Sequence, residues 1–281
     1  MIRIKDLSFR YSEAARLALS EVNLEVKDGD FLGVIGASGA GKSTLTYAIN
    51  GVVPHRFRGD FYGSVTVGGA DTVNSSPEEL ARQVGSVFQD IDGQIIASVV
   101  EDEILFGLEN FGTPRGEIES RLEYALETAG ISELRERAVS GLSGGQKQKV
   151  AIAAIIALKP KIMVLDEPTG ELDPQSSRRV FETLRELNER HGVTIIIVEQ
   201  KIMLLCEFAR SLAVMERGRV IAGGSVGDVL QEAQVLEDAG VNIPRVATLA
   251  AHLRDRGFYG GGAPVSLSGA EDMMRKAVLA R

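Results

Sequence analysis

The sequence predicts an α/β fold with a mostly parallel sheet, on three observations. Short apolar runs at 31–35, 84–88, 162–165 and 193–198 alternate with stretches of helical pattern, the order that covers both faces of a parallel sheet with helices. A glycine-rich turn, GASGAGKS at 36–43, follows the first run. The opening thirty residues alternate apolar and polar positions instead (Ile2, Ile4, Leu7, Phe9, then Leu19, Val22, Leu24, Val26), so an antiparallel β portion precedes the core.

Each element follows in turn. The run at 31–35 is continuously apolar, as a strand buried on both faces must be, and stops at Gly36, with a helix starting at Lys42. Ser76, Pro77 and Glu79 supply a cap, a proline at the first helical position and a capping-box carboxylate for a helix to about Gln83. Residues 84–88 form the next strand. Between about 95 and 138 the pattern is helical and charged (EIESRLEYALETAG), without strand signals, which marks a separate helical subdomain. Residues 147–158 are so apolar that their helix must be buried nearly all round. A central strand at 162–165 ends in Asp166 and Glu167, and Asp173 with Pro174 opens a helix whose Val180, Phe181, Leu184 and Leu187 share one face. From Leu236 the character changes: Gly257, Gly260, Gly261 and Gly262 form a flexible break before Ser268 and Glu271, a second capping-box spacing that opens a terminal helix to Leu279. The expected division is a core from 1–94 and 139–235, a helical subdomain at 95–138, and a C-terminal appendage at 236–281 that packs on, or exchanges with, a partner.

Composition narrows the function. A chain of 281 residues, 44% hydrophobic and 25% charged, has a sizeable core. A formal charge of −8 argues against nucleic acid as a partner, since polyanion binders carry a basic face. The apolar stretches fall short of the ~20 residues that cross a bilayer. The N-terminal MIRIKDLSFRY lacks the design of a signal peptide, which predicts a cytosolic chain. The single cysteine, Cys206, forms no internal disulfide and reads as a small buried hydrophobe, and no Cys/His cluster suggests zinc.

Gly36, Gly41, Lys42 and Ser43 fit G-x-x-x-x-G-K-S, whose glycines let backbone N–H groups close around phosphate oxygens at a helix N-terminus. The candidate nucleotide cradle is therefore Gly36, Ala37, Ser38, Gly39, Ala40, Gly41, Lys42, Ser43 and Thr44, with Lys42 between the β- and γ-phosphates and Ser43 on Mg²⁺. Asp166 and Glu167 end a buried strand, where adjacent side chains point to opposite faces and so take different roles. Asp166 is the candidate for the metal shell and Glu167 for polarising an attacking water.

Residues 142–146 read LSGGQ, and this pentapeptide with the phosphate loop makes the chain resemble the ATPases of the ATP-binding cassette (ABC) family over nearly its whole length. The resemblance implies the ABC ATPase fold and a head-to-tail pair of cassettes, in which Ser143, Gly144, Gly145 and Gln146 serve the nucleotide of a second ATPase subunit, identical or different. It implies that Tyr11 stacks on adenine, that Gln89 touches the metal or the attacking water and joins core to subdomain, and that Asp173 lies in the loop linking the two sites. Where the family places a histidine on the γ-phosphate, this chain has Gln200, and His55, His191 and His252 lie elsewhere. A glutamine amide donates a hydrogen bond but cannot become cationic. Either this weakens hydrolysis at the chain's own loop, or it is a conservative exchange.

Three further stretches, NGVVPHRFRGDFYGSVTVGG, VFQDIDGQIIASVVEDEILFGLEN and LEDAGVNIPRVATLA, resemble the ATPase of energy-coupling factor (ECF) transporters. The second holds paired Gln89 and Gln94 and the acidic Glu101, Asp102, Glu103, while Asp90, Ile91 and Asp92 depart from the usual Asn-Pro form. This implies an ATP- and Mg²⁺-dependent subunit of a vitamin or metal-ion importer, peripheral on the cytoplasmic face of the membrane. Its partners would be a membrane coupling (T) protein docking between Gln89 and Phe111 and a substrate-capture (S) protein. The apolar Ile95, Ile96, Val99, Val100, Ile104, Leu105 and Phe106 are expected to divide between docking surface and subdomain core. A DNA-repair cassette needs a long coiled coil for which too few positions separate Gln89 from Ser143, and a translation factor carries two nucleotide domains.

Overall fold

The computed structural model describes residues 1–265 and 267–279. Its strands are β1 (Ile2–Tyr11), β2 (Leu19–Val26), β3 (Phe31–Ile35), β4 (Gly59–Val67), β5 (Ala70–Asp71), β6 (Val84–Val87), β7 (Ile162–Asp166), β8 (Thr194–Val198), β9 (Ser211–Glu216) and β10 (Arg219–Ser225). A four-stranded antiparallel sheet runs β2-β1-β4-β5, and a six-stranded sheet runs β10-β9-β3-β8-β7-β6. In the larger sheet only β10 is antiparallel to its neighbour.

The period of two along the buried strands explains how one sheet feeds two cores. Phe31, Ile35, Met163, Leu165, Ile195 and Ile197 face the helical side, while Leu32, Val34, Ile162, Val164, Ile196 and Val198 face the antiparallel sheet. Each such side chain contributes roughly 1.5–3 kcal/mol when fully buried. Register then aligns the strand ends: Val34 pairs with Val198, and Asp166 also pairs with Val198. The residues that follow β3, β7 and β8 therefore meet at one rim, the carboxyl end where open α/β sheets bind ligands.

The helices are α1 (Lys42–Ile49), α2 (Val52–His55), α3 (Pro77–Ala81), α4 (Val100–Asn110), α5 (Arg115–Ala129), α6 (Gly144–Ala157), α7 (Pro174–His191), α8 (Ile202–Phe208), α9 (Val226–Val229), α10 (Ala233–Asp238), α11 (Arg245–Asp255) and α12 (Leu267–Leu279). The capping box expected at Ser76 and Glu79 forms, but α3 ends at Ala81 because the chain must already turn into β6. The helix expected from Lys147 begins three residues earlier, at Gly144, and no residue of it is fully exposed. Asp173 caps α7 by accepting from the N–H groups of Gln175 and Ser176.

In the helical segment Arg135 bridges Glu101 at 2.7 Å and Glu119 at 2.6 Å. Buried Glu103 accepts from the Ile96 and Ala97 N–H groups at 2.9 and 2.7 Å, fixing the loop ahead of α4. An isolated antiparallel bridge between Val99 and Ala138, where no strand signal had been visible, closes the base of this segment. Toward the C-terminus, Leu236, Ala239, Ala247 and Ala263 join the main core, and α10 runs across the 235/236 boundary. The second capping box is corrected: α12 starts at Leu267, so Ser268 lies inside the helix, and the residue preceding Leu267 is outside the described residues. Among the described residues no helix is long and apolar enough to cross a membrane.

Candidate functional site

The phosphate loop connects β3 to α1 and leaves Ala37, Ser38 and Gly39 exposed above a buried floor. Its glycines are required by geometry at two positions. Gly36 has φ +150°, and a Cβ there would lie 2.2 Å from the Met215 carbonyl; Gly41 has φ +100°, and a Cβ would lie 2.6 Å from the Ala18 carbonyl. Lys42 is 6% exposed, and its ammonium donates to the Gly36 and Ala37 carbonyls at 2.9 and 2.8 Å. Burial lowers its pKa from the ordinary lysine value, against the opposing pull of Glu167 and Asp166. An anion arriving in the loop can take over both hydrogen bonds.

Asp166 ends β7 with 2% exposure, and neither carboxylate oxygen has a hydrogen-bond partner. Burial pushes its carboxyl above the usual aspartate range, and Glu167 and Glu199 add to that shift. The neighbouring Ser43 hydroxyl, close enough to offset part of the burial though outside strict hydrogen-bond geometry, opposes the shift, as does Lys42. A sealed carboxylate with no hydrogen-bond partner, beside a hydroxyl, is a set of hard oxygen ligands that fits Mg²⁺. Among the described residues no cluster of three or more His, Cys, Asp or Glu forms a metal cage. Mg²⁺ takes one or two protein ligands and completes its shell with water and substrate phosphate.

Glu167 follows at φ +51°, a left-handed conformation that a non-glycine residue holds only when its surroundings impose it. Those surroundings are visible. The Glu167 N–H donates to the Val198 carbonyl at 2.9 Å, and its own carbonyl accepts from Gln148 Nε2 at 2.9 Å. Its carboxylate then receives one glutamine amide on each oxygen, Gln200 Nε2 at 2.8 Å on Oε1 and Gln89 Nε2 at 3.5 Å on Oε2. Gln200, in the slot expected for histidine, thus orients the carboxylate with a short bond, whereas Gln89 holds the other oxygen loosely. A water reaching Oε2 finds an acceptor that is fixed but not saturated.

Residues given no role at the site from sequence support this arrangement. Buried Glu199 accepts from the Thr169 N–H and hydroxyl, and Lys201 Nζ donates to the Thr169 and Leu172 carbonyls and to Ser177 Oγ at 2.6, 3.1 and 2.7 Å. Gln94 clamps the end of β6, accepting from Phe88 N–H and donating to the Ser86 carbonyl, both at 2.9 Å. The one available signal was Glu199 and Lys201 flanking Gln200 directly after an apolar run.

The LSGGQ segment makes no hydrogen bond to its own phosphate loop among the described residues. Ser143 and Gln146 form a reciprocal capping box at the start of α6, and Lys147 reaches Asp92 at 2.6 Å. Tyr11 lies beside the loop, its hydroxyl 3.0 Å from Thr44 Oγ1 and its ring edge-on to Phe9. A larger cleft of about 570 Å³, lined by Tyr124, Lys159 and His191, opens at the opposite ends of β7 and β8, away from these groups.

Comparison with known proteins agrees with this geometry. The family model described as ABC transporter matches residues 19–170. The energy-coupling factor transporter ATP-binding protein EcfA1 of Caldanaerobacter subterraneus is 40% identical over 263 residues, 92% of each chain. The structure of cbiO1 from Clostridium perfringens, part of the ABC transporter complex cbiONQ, superposes with a TM-score of 0.73 at 32% identity, covering 88% of this chain and 97% of that one. A dimeric ATP-binding cassette in a post-hydrolysis state with ADP and Pi gives 0.72 at 26% identity, over 80% of this chain and 99% of that one. With a matching family model across more than half its length and a rim that gathers a phosphate loop, a buried aspartate and an oriented glutamate, the chain belongs to the ABC transporter family as an ATP-binding ATPase subunit.

Proposed function

We propose that this chain is the ATP-hydrolysing subunit of an ECF-type importer of a vitamin or a metal ion, working at the cytoplasmic face of the membrane. It pairs with a second cassette ATPase beneath a membrane coupling protein and a substrate-capture protein. The likeness to EcfA1 and to a component of cbiONQ supports the subgroup, and the dimeric cassette with ADP and Pi supports the pairing.

The observation that carries the catalytic reading is the carboxylate of Glu167 held between Gln200 and Gln89, beside Lys42 and the unpartnered Asp166. Loop N–H groups from Gly36 to Thr44 and the Lys42 ammonium bind the phosphates, and Tyr11 flanks the base. Ser43, Asp166 and Gln89 hold Mg²⁺, which when bound neutralises phosphate charge. Glu167 accepts a hydrogen bond from the attacking water, and Ser143 to Gln146 of a second subunit close the site. Positioning and electrostatics carry such phosphoryl chemistry.

The test is Glu167→Gln. It is expected to bind ATP and dimerise while losing turnover by about 10²–10⁴-fold, the usual contribution of a general base. Wild-type turnover in that variant places the base elsewhere. Purification from membranes with identification of the co-purifying subunits tests the importer.

A further inference from the structure

The loop between β7 and α7 presses directly on the N-terminus of α6. A Cβ added to Gly144 would lie 1.7 Å from Glu171 Oε2, and one added to Gly145 would lie 2.9 Å from Leu172 Cδ2. The exposed Glu171 carboxylate therefore rests on the first residue of a 14-residue helix, at its positive end. Ser143 Oγ satisfies the Gln146 N–H, but the N–H groups of Gly144 and Gly145 make no hydrogen bond among the described residues.

This placement is imposed from behind. Glu199 fixes Thr169, Lys201 fixes the Thr169 and Leu172 carbonyls, and the Gly170 N–H donates to the Glu167 carbonyl at 3.1 Å. The loop that carries Glu171 is thus tied on one side to the Gln200–Glu167 pair and on the other to the two glycines.

We propose that Glu171 is a positioning residue that serves as an intramolecular placeholder anion on the LSGGQ helix, and that it must be displaced when the phosphate of a second subunit's nucleotide arrives. This rests on the cassette-pair reading above. Two anions cannot share one helix N-terminus without repulsion, so Glu171 raises the ATP concentration at which two chains close. It acts by its charge, held against Gly144 at the positive end of α6, and touches no reacting atom of its own site.

The experiment uses Glu167→Gln as the background and follows ATP-dependent dimerisation by analytical ultracentrifugation across an ATP titration. Adding Glu171→Gln is expected to lower the half-saturating ATP by about two- to fivefold, the worth of one carboxylate at a helix end. Glu171→Ala shifts it in the same direction. The gain shrinks at about 1 M salt, where exposed charges are screened. In the otherwise wild-type chain, Glu171→Gln lowers KM for ATP more than it changes kcat, and a fluorescent ADP analogue binds the monomer unchanged. A merely structural role predicts no gain in closure, and unchanged or higher half-saturating ATP overturns the placeholder. Should Glu167→Gln alone fail to dimerise with ATP, the pairing of identical chains falls and takes this inference with it.

Discussion

Asp166 carries the sharpest local tension in the chain. A carboxylate with 2% exposure and no donor on either oxygen costs the folded state its desolvation, about 1–3 kcal/mol for a buried unsatisfied group. Removing its charge with Asp166→Asn is expected to raise the stability of the nucleotide-free protein by about 1 kcal/mol while abolishing Mg²⁺-dependent turnover, a trade common at functional sites. Thermal melts with and without Mg²⁺ decide it, since the cation should stabilise the wild type and leave the variant unmoved. Gln200 invites a second substitution. Its amide already supplies a short bond to Glu167, and on that ground we propose the conservative reading of the missing histidine. Gln200→Ala is expected to cost about tenfold in turnover, as loss of one hydrogen bond to a charged group would, and Gln200→His to stay within about threefold. A large rise in the histidine variant instead revives the impaired-site reading. Cys206 is inert by burial, which pushes its thiol up to about 12, so Ellman's reagent should label it only after denaturation.

At the scale of the element, what could be read from sequence was what is locally encoded. Ser76, Pro77 and Glu79 specify the start of α3 among themselves, and Asp173 does the same for α7, so both caps are where the spacing put them. The phosphate loop and the strand ends at Asp166 and Glu167 were legible for the same reason, because each is a contiguous motif on a buried strand. Glu103 was not. Its neighbours Glu101 and Asp102 look identical in sequence, yet Glu103 alone is buried and caps the loop at Ile96 and Ala97, a role set by the fold of a loop rather than by composition. Lys201 and Glu199 likewise work across thirty residues of chain, on Thr169. The start of α12 misled because Ser268 and Glu271 satisfy a spacing rule that the preceding residues also had to obey. Glu103→Ala leaves two loop N–H groups without an acceptor and is expected to destabilise the chain by about 2 kcal/mol in urea denaturation, with Glu103→Gln costing less. Equal stability for both variants means water replaces the carboxylate.

At the scale of the whole molecule, few polar ties among the described residues join the site to the helical segment. Gln89 reaches Glu167 at 3.5 Å from the loop that Gln94 anchors to β6, and Lys147 ties Asp92 in the same loop to the helix that begins at LSGGQ. A force applied to that loop is therefore felt at Glu167 and at LSGGQ together. The apolar run beside it is split by burial: Val100 and Ile104 are buried, whereas Ile96 is 70% and Phe106 48% exposed. We propose that these two large apolar side chains, left in water beside the loop that reaches Glu167, receive a helix of a membrane coupling protein. Because both are exposed, Ile96→Asp with Phe106→Asp should leave folding stability and ATP turnover of the isolated chain within about twofold, surface changes being small. Recovery of the membrane subunits with the tagged chain should fall at least about tenfold, the loss expected when apolar anchors are replaced by charge. Undiminished recovery would put the docking surface on another face of the cassette, and a parallel loss of turnover would show that the loop serves hydrolysis before it serves coupling.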